Sequence, residues 1–474
     1  MDRKIIIGYD VMTYNGEQPN CMNPKFLSTI HKASDFYFSD SLEYFVKRWN
    51  NIWALYNSNM YNNFADKKSI YEIKEDRKKS ISYEWFYIVE PFGNLDNFFG
   101  NDDFYNEFCL KNISKVALDE IINGSGRLLI NYVIDGGTGF RVKNFEKLIK
   151  FTRENNIPDE KVFFVFADFK LKENLQKLNV NYKVKDYSYN MIGKAQEFYK
   201  TINNPNFSYW GEGSYEPQFG KARQNATSIV TSEEFLQSIG NDRKDFLLLN
   251  RHWKLHRLLL LSQLHKLGFD KSLVSWDNRF ANQLNRNEFL MHDSNEEFLE
   301  LITETSSILD IEDLTKIAGF GFENKDIYLN TYISIVTESI FFQEDINFPS
   351  GYLSEKIWKP IGHCQPFILA GPSKSLEHIK KRFGYKTFHP YIDESYDNED
   401  DDMKRLEMIK IEIDKFSNKS KEEKDQFLND VKDICVYNQN LFLEYAVSSW
   451  KNDSTNKEMR IILNFLIHSK KSLI

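Results

Sequence analysis

Short apolar runs alternate with segments of helical spacing along the first half of the chain. Runs that are apolar at nearly every position predict strands buried on both faces, as in parallel sheets. The predicted strands are Arg3–Gly8, Trp85–Val89, Leu128–Ile134, Val162–Phe166 and Tyr182–Val184. Apolar residues three or four apart predict helices at Phe145–Asn155 and Leu171–Leu178. This alternation predicts an α/β domain with a parallel sheet covered on both faces.

The alternation restarts after residues 203–225, which are rich in Pro, Gly, Asn and Ser and predict a linker. The further predicted strands are Phe246–Leu249, Ser272–Trp276, Tyr332–Val336 and Pro366–Ala370, and the further helices are Trp253–Leu267, Glu355–Ile361, Leu376–Phe383 and most of the tail from Met403. Pro360 should kink or shorten its helix. We therefore predict a doubly wound, Rossmann-like domain over residues 1–230, a second over residues 231–440 and a helical tail over residues 441–474.

Composition narrows the classes of function. The 474 residues carry a formal net charge of −8 with a pI near 5.7. This acidity disfavours a nucleic acid partner, although a local basic groove would be compatible with it. The four cysteines contain no CxxC pair, so neither a disulfide framework nor a thiolate zinc site is expected. Without a signal peptide or an apolar run of the ~18 residues that a membrane span requires, we expect a cytoplasmic protein. The Asn-, Lys- and Ile-rich composition suggests an AT-rich bacterial or viral genome, which places it in the bacterial or viral-host cytoplasm.

The segment from Asn250 to Arg257 runs from a predicted strand end into a predicted helix and is strongly basic. Its basic or potentially basic side chains are Arg251, His252, Lys254, His256 and Arg257. Cations at a helix N-terminus oppose the helix dipole by a few tenths to ~1 kcal/mol each. A bound diphosphate would compensate them, since free N–H groups at a helix start favour anions. The alternative is a solvated face whose charges point outward.

A second group of segments lies further along the chain. Thr337-Glu338-Ser339 follows a predicted strand, and Tyr352-Leu353-Ser354-Glu355-Lys356 begins a predicted helix. Ser354 is a candidate N-cap, and an acidic residue such as Glu355 is favourable in a first turn. Lys356 could reach a phosphate at the helix start, and Glu355 could accept a hydrogen bond from a ribose hydroxyl. The alternative is a capped helix with a surface Glu–Lys pair.

These segments resemble the donor-binding motif of the α-1,3-fucosyltransferase family, which runs Phe-Glu-Asn-Ser, a loop, Tyr-Val-Thr-Glu-Lys, a helix and an apolar strand ending in Gly. Tyr352, Glu355 and Lys356 match this pattern identically, with Leu353 and Ser354 as close replacements. Downstream, the segment Pro366-Phe-Ile-Leu-Ala-Gly371 matches the strand.

Upstream, Asn250 and Arg257 stand where the family has a strand ending in Ser-Asn and an arginine that contacts the donor phosphates. Thr337-Glu338-Ser339 replaces Phe-Glu-Asn-Ser, so the asparagine contact is lost or altered and the donor's sugar and base stay open. The donor of the family is GDP-fucose, so the resemblance favours a GDP-sugar as the donor for this chain.

The resemblance implies a GT-B arrangement, with two Rossmann-like domains facing a central cleft, and an inverting, metal-independent transfer of a sugar. Arg257 and Lys356 would neutralise the diphosphate, Glu355 would hold the ribose and Tyr352 would line the donor pocket. The matching positions complete the predicted donor-binding set, which is Asn250, Arg257, Glu338, Ser339, Tyr352, Ser354, Glu355 and Lys356. No cofactor is expected beyond the nucleotide sugar itself.

A metal site has little support in the sequence. The acidic run Asn398–Asp402 precedes a predicted helix, where carboxylates suit the helix N-terminus. His252 and His256 are four residues apart on one helix but lack the Glu of a His-Glu-x-x-His motif and a third ligand. We therefore expect no metal.

An inverting transfer needs a general base near the acceptor hydroxyl, and the N-terminal domain should supply it. Asp135 is the first candidate because it follows a buried strand at Gly136-Gly137, where sites lie in such sheets. The alternative for Asp135 is a turn residue that shapes this glycine pair. Glu90 and Asp168 follow neighbouring strands and are the other candidates for the base.

The predicted function is transfer of fucose or another hexose from a nucleotide diphosphate sugar to a hydroxyl acceptor, with a glycan as the expected acceptor. Two alternatives stay open: a non-catalytic nucleotide-sugar- or carbohydrate-binding protein, and a viral glycosyltransferase acting on a hydroxylated DNA base. An oxidoreductase is disfavoured because no Gly-x-Gly-x-x-Gly follows a predicted strand.

Overall fold

The computed structural model describes residues 5–9, 65–81, 83–89, 113–132, 142–166, 168–186, 229–250, 252–283, 285–307 and 325–450. The chain forms two compact units. Unit 1 comprises Met1–Tyr189, Glu344–Ser350 and Asn452–Ile474, and unit 2 comprises Asn190–Gln343 and Gly351–Lys451. The chain therefore enters unit 1 a second time at Glu344 and leaves it after Ser350. We call Glu344–Ser350 the crossing segment.

Unit 1 contains a six-stranded parallel sheet with the strand order β2-β1-β3-β4-β5-β6. Its strands are β1 (Ile5–Tyr9), β2 (Ala65–Ser69), β3 (Trp85–Val89), β4 (Gly126–Tyr132), β5 (Val162–Phe166) and β6 (Lys183–Asp186). Strand β2 was not predicted, because its sequence Ala-Asp-Lys-Lys-Ser is polar. Among the described strands it lies at the edge and pairs only with β1, where backbone hydrogen bonds can hold a strand without a continuous apolar run.

Helices pack onto this sheet through apolar faces. Among the described residues, the helices of unit 1 are α1 (Ile70–Lys78), α2 (Lys115–Asn123), α3 (Val142–Glu154) and α4 (Leu171–Lys177), with a 3-10 turn at Asp159–Lys161. Phe145 and Leu148 of α3 lie in one core cluster with Leu128 and Phe164 of the sheet. All four side chains are at most 1% exposed, as expected for a parallel sheet covered by helices.

The crossing segment is built into unit 1. Phe348 packs against the core of this unit. Asn174 of α4 donates to Pro349 O (2.8 Å), and the Nζ of Lys177 donates to Asn347 O (2.7 Å). These contacts agree with the division of the chain into units, since α4 holds Glu344–Ser350 through backbone carbonyls and an aromatic ring.

Unit 2 contains a four-stranded parallel sheet with the order β10-β9-β7-β8. Its strands are β7 (Lys244–Leu249), β8 (Ser272–Ser275), β9 (Thr331–Thr337) and β10 (Phe367–Ala370). Every residue of β9 and β10 is buried. The molecule is thus mixed α/β with two parallel sheets, compatible with Rossmann-like units, as the sequence predicted.

The described part of unit 2 contains nine α-helices. They are α5 (Ser232–Gln237), α6 (Leu255–Leu267), α7 (Arg286–His292), α8 (Glu296–Glu304), α9 (Asp326–Leu329), α10 (Trp358–Gly362), α11 (Ser375–Phe383), α12 (Asp402–Ser417) and α13 (Lys421–Trp450), with 3-10 turns at Phe269–Lys271, Asn278–Gln283, Glu355–Ile357 and Glu394–Asn398. Helix α6 buries four consecutive leucines, Leu258–Leu261, as expected of a helix inside the core. It ends at Gly268, whose φ of 98° favours glycine. No helix in the described part of the chain is long and apolar enough to cross a membrane.

Two predicted domain boundaries and one predicted helix differ from the structure. The units divide at Tyr189–Asn190, whereas the sequence placed the division after residue 230, and residue 440 lies inside the continuous helix α13. The predicted helix Glu355–Ile361 is a 3-10 turn at Glu355–Ile357 followed by the five-residue α10. Pro360 lies inside α10, which agrees with the predicted shortening, because proline cannot donate the backbone hydrogen bond that a longer helix requires.

Candidate anion-binding site

The carboxyl ends of β7 and β9 and the first turn of α6 are joined through one buried asparagine. Asn250 directly follows β7 and is 5% exposed. Its side-chain oxygen accepts a hydrogen bond from Thr337 Oγ1 (2.6 Å), at the end of β9. Its side-chain nitrogen lies 3.5 Å from Arg257 O, in α6. Because β7 and β9 are parallel neighbours, their carboxyl ends lie at the edge of the sheet where ligands bind in such folds.

Arg257 is buried next to this edge of the sheet, and its guanidinium contacts the end of β9. The residue is 4% exposed. Its Nη1 donates to His252 O (3.2 Å), and its Nη2 donates to Thr337 O (3.3 Å) and Glu338 O (3.2 Å). Arg257 therefore holds the end of β9 against the turn before α6 and brings a fixed positive charge to the edge of the sheet.

His256 is a neutral, structural histidine next to Arg257. It is 2% exposed, and its Nε2 lies 3.0 Å from Glu338 O. Its ring stacks on Phe341 at a centroid distance of 5.2 Å. Burial, and then the charge of Arg257, hold the pKa of His256 well below its usual value. A neutral ring protonated at Nε2 donates to Glu338 O, so His256 supports the same carbonyl as Arg257.

Glu338 positions the loop that carries Lys356. The residue has no exposed surface, and its Oε2 accepts hydrogen bonds from both the backbone N–H (2.9 Å) and the hydroxyl of Ser354. Gly371 leaves room for it, since a Cβ there would lie 3.3 Å from Glu338 Cγ. The sequence predicted Glu338 and Ser354 as donor-binding residues, whereas the structure engages each with the other.

Lys356 lies between two serine hydroxyls. Its Nζ is 3.0 Å from Ser354 Oγ and 3.3 Å from Ser339 Oγ. Ser339 directly follows Glu338, and both Ser339 and Lys356 are partly exposed. The Glu338–Ser354 contacts therefore fix the start of the 3-10 turn from which Lys356 reaches back to the end of β9.

Lys254 approaches the same serine from the other side. Its Nζ donates to the carbonyl oxygen of Ser339. Lys254 is an exposed residue. Partial desolvation, followed by the charges of Arg257 and Lys356, nevertheless lowers its pKa to about 8. Lys254, Arg257 and Lys356 form what we call the cation cluster. The sequence pointed to Lys254 only as one of five basic residues and not as a member of the donor-binding set.

Tyr352 and Glu355 complete the predicted donor-binding set, and His252 belongs to the basic segment before α6. Tyr352 is 4% exposed and precedes the 3-10 turn that Glu355 begins. The Glu355 side chain lies outside the described part of the structure. His252 lies at the turn before α6, where its Nδ1 is 3.3 Å from Gln283 Nε2. Burial, and then Arg257, lower the pKa of His252.

Of the three predicted general bases, only Asp168 belongs to the described residues, while Glu90 and Asp135 lie outside them. Asp168 follows β5 and is 1% exposed. One carboxylate oxygen accepts from Lys170 N (2.8 Å), and the other accepts from Ser350 Oγ (2.7 Å) in the crossing segment. In this conformation Asp168 fixes Ser350 and is closed to an acceptor hydroxyl.

The acidic run Asn398–Asp402 and the two histidines His252 and His256 have protein groups as their partners. Asp401 caps α12 by accepting from Lys404 N, and Asp402 binds Arg405. No group of three or more His, Cys, Asp or Glu side chains among the described residues could hold a metal ion.

A cavity of about 270 Å³ in unit 1 is lined by Arg77, Tyr83, Glu120 and Ser125, among others. Tyr83 and Ser125 stand just before β3 and β4, so this cavity is at the amino ends of the strands, opposite the edge where ligands bind in such sheets. Arg77 and Glu120 pair with each other there (2.9 Å).

No protein-family profile, curated protein or solved structure matches this chain. The geometry at the ends of β7 and β9 is therefore the basis for a functional assignment.

Proposed function

We propose that this chain is an inverting, metal-independent glycosyltransferase of the GT-B type that binds the diphosphate of a nucleotide sugar at the cation cluster. The observation that carries the proposal is the convergence of Lys254 and Lys356 on Ser339, with Arg257 bound to the preceding carbonyl. The resemblance of Tyr352–Lys356 and its flanking segments to the fucosyltransferase donor motif supports the same conclusion.

Electrostatics favour an anion at this place. Two like charges ~6 Å apart repel by roughly 3 kcal/mol at an effective dielectric constant of ~20. Desolvation is the largest cause of the lowered pKa of Lys254, and the charges of Arg257 and Lys356 lower it further. A diphosphate would convert this repulsion into attraction, and it would do so at the carboxyl ends of β7 and β9.

The same cations suit the chemistry of sugar transfer. When a glycosidic bond to a nucleoside diphosphate breaks, negative charge develops on the leaving phosphate, and preorganised cations stabilise it. Lys356 would contact phosphate oxygens, while Arg257 would hold the surrounding carbonyl groups and add the charge of its buried guanidinium. Unit 2 would thus bind the donor, with GDP favoured as its nucleotide, and unit 1 would bind a glycan or another hydroxylated acceptor. We propose that this reaction takes place in the cytoplasm of a bacterium or of a virus-infected cell.

The test is a thermal-shift screen with GDP, UDP, CDP and dTDP and their sugars, followed by product analysis with an acceptor panel. A ligand that binds only the folded state raises its melting temperature. We expect at least one nucleotide sugar to stabilise the protein and to be consumed when an acceptor is present. Absence of binding by every nucleotide at low salt would refute the proposal.

A second candidate function is a non-catalytic nucleotide-sugar- or carbohydrate-binding protein. The burial of Asp168 favours it, because this candidate base is 1% exposed and each of its oxygens accepts a hydrogen bond from the protein, so it is closed to a substrate hydroxyl in the described conformation. Saturable donor binding with neither hydrolysis nor transfer to glycan or hydroxylated-DNA acceptors would select this function.

A further inference from the structure

Lys254 stands at the junction between the turn after β7 and helix α6. It occupies the N-cap position of α6, with φ −125° and ψ 148°, and its side chain does not cap the helix. Its ammonium extends instead to Ser339 O, on the residue whose hydroxyl contacts Lys356. Two ammonium groups from different segments of the chain therefore meet at one partly exposed serine.

The groups around Lys254 are predominantly cationic. The positive charges are those of Arg257, from the same segment, and Lys356, from the 3-10 turn. His252 and His256 of the same segment have lowered pKa values, caused first by burial, then by the charge of Arg257 and to a smaller extent by that of Lys254. The carboxylate of Glu338, at the end of β9, is bound to Ser354.

We propose that Lys254 joins Lys356 in binding the diphosphate and that the bound anion draws a proton from solvent onto the Lys254 nitrogen. This inference rests on the proposed function, since it takes a nucleoside diphosphate as the ligand. In the free protein the ammonium binds Ser339 O; with the ligand present, its N–H groups donate to phosphate oxygens.

The consequence is a pH dependence of binding whose sign follows from linkage. The free protein holds the proton fully below pH 7 and loses it as the pH rises through about 8. An anion in contact with Lys254 favours the charged form, so the complex keeps the proton to higher pH. Affinity should therefore fall about tenfold between pH 7 and pH 9, because the protonated fraction of a group with a pKa of about 8 falls by that factor.

The experiment is isothermal titration calorimetry with whichever of GDP, UDP, CDP and dTDP binds most tightly. It is run from pH 7 to pH 9, and at pH 8 in two buffers of different ionisation enthalpy, which measures proton uptake directly. The proteins are the wild type, Lys254→Arg, Lys254→Met and, as the matched control, Lys271→Met. Lys271 is an exposed lysine beyond the other end of α6. The titration of the nucleotide itself is common to all four proteins and cancels in the comparison.

We expect the wild type and Lys271→Met to take up about half a proton at pH 8, since a group with a pKa of about 8 is half protonated there. Lys254→Arg should bind with no uptake and no excess pH dependence, because arginine stays charged. Lys254→Met should bind at least tenfold more weakly at pH 7, also without uptake. Uptake that persists in Lys254→Arg, or unchanged affinity in Lys254→Met, would overturn this inference and leave the proposed function intact. Absence of nucleotide binding in the wild type would overturn both.

Discussion

At the scale of single residues, Lys356 is the partly exposed member of the cation cluster that the donor-motif resemblance also identifies. It lies within hydrogen-bond distance of two hydroxyls, Ser339 Oγ and Ser354 Oγ. Replacing Lys356 with Met removes the charge and keeps an unbranched side chain. We expect the Kd for a nucleoside diphosphate to rise roughly 10- to 150-fold, because a hydrogen bond to a charged group contributes about 1.5–3 kcal/mol. Calorimetry at pH 7 and low salt measures this change.

The control for this substitution is Lys271→Met, which removes the same charge at an exposed position of unit 2. Circular dichroism should show both variants folded. An unchanged Kd in Lys356→Met would remove the basis for the anion site. If Lys271→Met weakened nucleotide binding by the same factor, the effect of Lys356→Met would come from the net charge of the protein and not from a contact with the ligand.

Glu338 should act on stability through its contact with Ser354. Its buried carboxylate accepts two hydrogen bonds from that residue. Glu338→Gln keeps the shape but replaces one acceptor oxygen with a donor, so we expect the free energy of unfolding to fall by about 1–3 kcal/mol. Urea denaturation measures it.

A double-mutant cycle with Ser354→Ala separates this contact from other effects of Glu338. If the two side chains act together, the double variant should lose less stability than the sum of the single variants. Strict additivity would contradict the assignment of Glu338 as the residue that positions Ser354.

At the scale of elements, apolar runs located the central strands well. The predicted strands Trp85–Val89 and Val162–Phe166 coincide with β3 and β5, because strands buried on both faces must be apolar at almost every position. Strand β2 escaped prediction because pairing with β1 holds it, and this pairing is tertiary information. The predicted helix Glu355–Ile361 is divided into a 3-10 turn and α10, and only Pro360 indicated in the sequence that this helix would be kinked or shortened.

The candidate site was predictable in part for similar reasons. Motif spacing brought Asn250, Arg257 and Lys356 together, since strand ends of a parallel sheet meet at one edge. Local sequence could not show that Glu338 turns inward to Ser354 or that Lys254 reaches Ser339, because each contact joins residues that are distant along the chain.

Helix α12 is tied to the sheet of unit 2 by Arg405, which is 1% exposed. Its guanidinium donates to Gly371 O (3.2 Å), Glu399 O (2.8 Å) and Phe341 O (3.0 Å) and pairs with Asp402. Arg405→Met would leave these buried acceptors without their donor, so we expect a loss of about 3–5 kcal/mol in the free energy of unfolding. Urea denaturation of the variant measures the loss.

Lys404→Met is the matched control, since Lys404 is exposed on the same turn of α12. Its stability should stay within about 0.5 kcal/mol of the wild type. Equal stability of Arg405→Met and the wild type would show that α12 is held without these contacts.

At the scale of the whole molecule, buried neutral histidines should make the protein sensitive to acid. His363 is fully buried, its Nδ1 accepts from Val230 N (3.3 Å), and its ring stacks on Tyr328 at 3.9 Å. Burial, and then the charge of Lys359, lower the pKa of His363 to about 3. The unfolded chain therefore binds this proton near pH 6.5 and the folded chain only near pH 3, so the contribution of His363 is complete above pH 6.5 and is lost as the pH falls.

Urea denaturation from pH 7.5 to pH 4.5 tests this dependence with His363→Gln, which keeps a hydrogen-bond acceptor. We expect the variant to lose stability less steeply on acidification, by up to about 1.4 kcal/mol per pH unit for the one missing proton. Exposed His292 provides the control: His292→Gln should follow the wild type. Parallel curves for His363→Gln and the wild type would exclude a contribution of His363.

The crossing segment also limits how this protein can be divided or recombined. The crossing segment supplies unit 1 with Phe348 and with Ser350, which is the partner of Asp168. In the sequence, this segment lies between β9 and the 3-10 turn that contains Lys356. A fragment of residues 190–451 would present Phe348 without the core it packs against, and a fragment of residues 1–189 would lack part of its own packing. A chimera that combines unit 1 with unit 2 of another protein must therefore include Glu344–Ser350. This short segment has to be inserted into the coding sequence of the other unit.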